Sequence, residues 1–85
     1  MELTTTQWTV ELLLSERDGR TYAEARLHSG LEHPLTATGS ARLSPEDGTD
    51  VPEIGYELAA ARALAQLGQL LLATAELDVD ALNAP

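Results

Sequence analysis

The chain has 85 residues, with 14 acidic against 5 basic side chains, a formal net charge of −9 and no cysteine. A single domain of this size buries only about 60–65% of the surface its unfolded form exposes, and no disulfide can supplement so thin a core. The charge opposes affinity for bare nucleic acid, which comes mostly from neutralising phosphates.

Residues 1–6 are acidic and polar, without the apolar stretch of a signal peptide. The longest clearly apolar run, Leu70 to Ala73, is too short to span a bilayer. The expectation is a soluble cytoplasmic protein with no membrane contact. The core must come from leucine, valine and alanine, because Trp8, Tyr22 and Tyr56 are the only aromatics.

Residues 7–15 alternate, with Trp8, Val10, Leu12 and Leu14 on one face and Gln7, Thr9, Glu11 and Leu13 on the other. That period of two predicts a half-buried strand. Glu16 to Arg20 follows, with Asp18-Gly19 as a hairpin signal. Residues 20–28 alternate again, setting Thr21, Ala23, Ala25 and Leu27 against Tyr22, Glu24, Arg26 and His28. After a second turn near residues 29–34, residues 35–43 form a third alternation. It sets Leu35, Ala37, Gly39, Ala41 and Leu43 against Thr36, Thr38, Ser40 and Arg42. Short connections make this an antiparallel three-stranded meander.

Residues 44–52 read as an acidic loop rich in turn residues. Asp50 with Glu53 resembles a capping box, and Pro52 suits a first helical turn. One long helix is predicted over 53–75, followed by an acidic tail, 76–85, with at most a short helical turn. On that helix Ile54, Leu58, Ala61, Leu64, Ala65, Gly68, Leu71 and Leu72 share a face, with Arg62, Gln66 and Gln69 opposite. The narrow seam of Ala61, Ala65 and Gly68 is expected to lie close on the small-residue sheet face, so that Gly68→Leu overpacks. The fold class is α+β, in the order β-β-β-α.

Chemistry is sparse. His28 and His33 flank the second turn, and only Glu32 stands by to complete a metal set, so exposed histidines are expected. Residues 46–50 lack the spacing of a calcium loop and read as solvated. Ser15, Ser29, Ser40 and Ser44 have no elbow glycines around them. The expectation is no enzyme, no metal, no cofactor and no small-molecule substrate. The outer sheet face offers Arg20, Tyr22, Arg26, His28 and Arg42 as contacts for RNA or a partner. Arg26 and Arg42 are expected near each other; the alternative is a solvated face on which Glu11 and Glu24 neutralise the arginines. Trp8, Leu58, Ala61, Ala65, Gly68 and Leu72 are candidates for a core or dimer seam. A thin core and unpaired sheet edges favour a homodimer. Leu13 and Leu70 break the polar pattern and favour a protein interface.

Four stretches carry a family resemblance. They are Gln7 to Val10, Ala23 to Leu27, Gly39 to Pro45, and Val51 to Gly55 with Glu57-Leu58 and Ala61 to Leu64. Over about residues 7–80 the chain resembles an uncharacterised actinobacterial family of small proteins. That family has a dormancy-linked mycobacterial member likened to ribosome hibernation-promoting factors. The resemblance implies a double-stranded-RNA-binding-domain-like fold, a homodimer and a role at the ribosome under stress. Such factors need basic surface against ribosomal RNA, and here Arg20, Arg26 and Arg42 are the residues on or beside the sheet that could serve. Docking to a ribosomal protein or another basic partner is the alternative to direct nucleic-acid contact. A second class of function is an acidic homodimeric interaction module with no ribosomal role.

Overall fold

A computed structural model describes residues 2–30, 32–42 and 52–84. Three strands, β1 (Thr9–Arg17), β2 (Arg20–His28) and β3 (Leu35–Arg42), precede one helix, α1 (Pro52–Asn83). The strands form an antiparallel sheet in the order β1-β2-β3. This is the expected β-β-β-α arrangement. The predicted loop over 44–52, with the Asp50 half of its capping box and the carboxylates of 46–50, lies outside the described residues up to Val51, as does Leu43.

The first turn follows from its two residues. Asp18 has φ 52° and Gly19 φ 77°. Two successive residues at positive φ make the tight turn whose twist matches a right-twisted hairpin. The turn fixes Arg17 opposite Arg20, and from there Leu14 pairs with Ala23, Leu12 with Ala25 and Val10 with Leu27. On the other side Ala41 pairs with Thr21, Gly39 with Ala23 and Ala37 with Ala25. One sheet face therefore collects the apolar and small residues of all three strands.

The helix covers only part of that face. α1 packs on β3 and β2 and barely touches β1. The core is Ala23, Ala25, Leu27, Ala41, Ala59, Ala63 and Leu67, with Leu35, Ala37 and Leu71 packed around it. β1 is exposed along its whole length, including Val10, Leu12 and Leu14. The expected half-burial of the first strand is thus corrected: its alternation is present, but a single helix is about 10–12 Å across and cannot roof three strands. Trp8, expected in the core or a seam, precedes β1 and is 51% exposed.

The face of α1 that meets the sheet also differs from expectation. Gly55, Ala59, Ala63 and Leu67 are buried and Leu71 is half-buried, a stripe of four-residue spacing. Leu58, Ala61, Ala65, Gly68 and Leu72 are exposed. The reason lies in β3. A Cβ at Gly39 would fall 2.7 Å from the Ala59 carbonyl oxygen and closer still to the Ala63 amide nitrogen. The two backbones touch there, so only small residues fit beneath the helix. Around Gly68 a Cβ would meet nothing within 4 Å, which removes the basis for overpacking against the sheet.

α1 is longer than predicted, reaching Asn83 instead of residue 75, and the expected acidic tail over 76–83 continues the helix. A helix of 32 residues spans about 48 Å, while a strand of 8 residues spans about 27 Å. After Thr74 every described residue is exposed. By length and composition the segment Glu53–Asn83 is long and apolar enough to cross a bilayer. Its first half instead forms the core with the sheet.

Candidate functional site

The outer sheet face is polar and divides into two clusters along β2. At one end Arg26 lies opposite Glu11 on β1, and Glu24 is its neighbour two residues back on the same face. Arg26 donates from Nε and Nη2 to Oε2 of Glu24, at 2.7 and 2.6 Å. Its Nη1 stands 3.8 Å from Oε1 of Glu11, and Nε2 of His28 lies 3.5 Å from the same oxygen. Two carboxylates thus enclose one guanidinium, the solvated alternative for this residue. Surface pairs of this kind contribute at most about 1 kcal/mol each. They leave Arg26 poorly placed to offer net charge to a partner.

The other end differs. Arg20 pairs with Arg17 on β1 and with Arg42 on β3. Like charges directly opposite each other destabilise a sheet, yet three arginines meet at this corner. With Tyr22 and Asp18 they line a concavity of about 380 Å³. Among the described residues Asp18 is the carboxylate lining it, and its oxygen is 3.8 Å from Nε of Arg17, with both side chains largely solvated. The expected neighbourhood of Arg26 and Arg42 is therefore corrected. Arg42 stands opposite Arg20 and Arg26 opposite Thr36, six β2 residues apart, or about 20 Å. Arg17 was absent from the expected contacts, although the two-residue turn signal places it across from Arg20.

Between the clusters a shallow depression of about 750 Å³ is bordered by Leu13, Tyr22, Glu24, Thr38 and Ser40. Arg62, expected on the solvent side of the helix, reaches β3 and donates to the Ser40 carbonyl oxygen at 2.8 Å. It covers a backbone acceptor and ties α1 to that strand. His28 and His33 are exposed. Among the described residues no three His, Cys, Asp or Glu side chains gather as a metal would require.

These features define a class: a small α+β domain, with an open three-stranded sheet under one overlong helix and a polar outer face. The chain belongs to the Rv2632c-like family, whose model matches residues 6–85. The uncharacterized protein Mb1767 of Mycobacterium bovis (strain ATCC BAA-935 / AF2122/97) is 45% identical over 76 residues, covering 89% of this chain and 79% of that protein. The uncharacterized protein Rv2632c of Mycobacterium tuberculosis (strain ATCC 25618 / H37Rv) is 43% identical over 72 residues, covering 85% of this chain and 75% of its own length. The crystal structure of Rv2632c superposes with a TM-score of 0.87 at 38% identity, over 100% of this chain and 99% of that one. The relatives' names assign no activity.

Proposed function

We propose that the chain is a non-enzymatic, homodimeric binding protein of the cytoplasm that serves the stressed or dormant cell at the ribosome. The observation that carries this is the corner where Arg17, Arg20 and Arg42 meet beside Tyr22. Clustered guanidinium groups match phosphate oxygens, and a neighbouring ring offers a surface on which a base can stack. The corner gives an acidic chain one local site of opposite character. The uncovered apolar surface of β1 and α1 supports the homodimer. Contact is assigned to this corner and not to Arg26, which is already enclosed by Glu24 and Glu11.

The test is cosedimentation of the native protein with ribosomes from starved or oxygen-limited cells, at low and moderate salt. Migration with ribosomal particles is expected, weakening with salt and abolished by Arg20→Ala/Arg42→Ala, with Arg26→Ala nearly silent. Protein left at the top of the gradient in every condition would sink the ribosomal role. A second reading, an acidic module that binds a basic protein, is favoured by the enclosure of Arg26 and by the net charge of −9, which would steer a basic partner.

A further inference from the structure

α1 carries a second stripe, on the side away from the sheet. From Leu58 to Leu82 apolar positions recur at alternating intervals of three and four residues, the spacing of a heptad seam. One set is Leu58, Ala65, Leu72 and Val79. The interleaved set is Ala61, Gly68, Ala75 and Leu82. Every one of these residues is exposed, and no charged residue interrupts the series. The buried stripe through Gly55, Ala59, Ala63 and Leu67 occupies the opposite side, so the seam has no partner among the described residues.

We propose that this seam is the contact between two copies of the chain, packed helix against helix in antiparallel order. The proposal rests on the homodimer reading and adds to it where the contact lies. The area argues for a second copy. The chain exposes 6883 Å², whereas a compact monomer of its mass exposes about 4,900 Å². A stable interface takes roughly 800 Å² from each partner, and the seam is exposed along the helix from Leu58 to Leu82.

Side-chain size argues for the direction. In parallel, in-register order each layer pairs a residue with itself, leaving the layers uneven, thin at Gly68 against Gly68 and wide at Leu72 against Leu72. In antiparallel order centred near residue 70, Leu72 of one copy enters the open space above Gly68 of the other. Val79 meets Ala61, Ala65 meets Ala75, and Leu58 meets Leu82. The helical overhang beyond Thr74, which has no sheet beneath it, then lies along the back of the other helix.

The absence of cysteine makes the test clean. Ala65→Cys and Ala75→Cys chains, one of them tagged, are mixed, oxidised gently and sized by light scattering before and after. A dimer is expected, with the mixed 65-to-75 disulfide dominating over links of either position to itself. Gly68→Leu is expected to raise the dimer dissociation constant about tenfold or more, with helical circular dichroism retained. A dimer that yields only self-links, or no link, overturns the antiparallel seam and leaves the homodimer standing. A chain that is monomeric at micromolar concentration overturns both. If that monomer floats with phosphatidylcholine vesicles, the seam belongs to a lipid surface instead.

Discussion

Gly39 shows how one missing side chain sets the geometry of the whole layer. It lets the β3 backbone touch α1 at Ala59 and Ala63, and the buried residues of that layer are alanine, glycine or threonine until Leu27 and Leu67. A methyl there must displace helix backbone, which is stiffer than any side chain. Gly39→Ala is therefore expected to destabilise the fold by about 1–3 kcal/mol. Urea unfolding would show it as a lower midpoint at unchanged slope. An unchanged midpoint would mean that the helix does not sit this close. Alternation alone put Gly39 on the inner face but could not distinguish its role from that of Ala37 or Ala41. Only contact with a particular helix turn separates them.

At the scale of elements, the first hairpin is the best-determined part of the molecule. Asp18-Gly19 sets its turn, the turn sets the register, and the register sets which side chains face each other. Gly19 at φ 77° occupies a region that costs an L-residue about 1–2 kcal/mol. Gly19→Ala should lower stability by about that amount, read as a drop in thermal midpoint, without altering self-association, since the turn is remote from the seam. The same hairpin brings Arg17 to Arg20 and completes the arginine corner, so the candidate site was half legible from the turn. Its other half, the pairing of Arg20 with Arg42 and not of Arg26 with Arg42, depended on the β2–β3 register. That register is set across the longer connection of residues 29–34. The buried face of α1 differs from expectation for a related reason. The helix has two stripes of small and apolar residues, and periodicity shows both without saying which one meets the sheet.

As a whole the molecule is elongated. Its radius of gyration is 17.0 Å, against about 12 Å for a compact chain of this length. One sheet face is partly unroofed, and one helix runs past its own core. Stability drawn from a second copy depends on concentration by mass action. The thermal midpoint should therefore rise as the protein is taken from low to high micromolar concentration. A midpoint independent of concentration across that range, measured by differential scanning calorimetry, would argue that the chain is complete as a monomer.

Local rules sufficed for the number, type and order of elements, because a period of two, a two-residue turn and a long helical pattern each need only neighbours in the chain. They also sufficed for the inner face of β2 and β3. What the tertiary structure decided was which strand the helix leaves bare, which of its stripes it buries, and which arginines meet. Those are settled by close approach at Gly39 and by strand register, contacts between residues far apart in sequence.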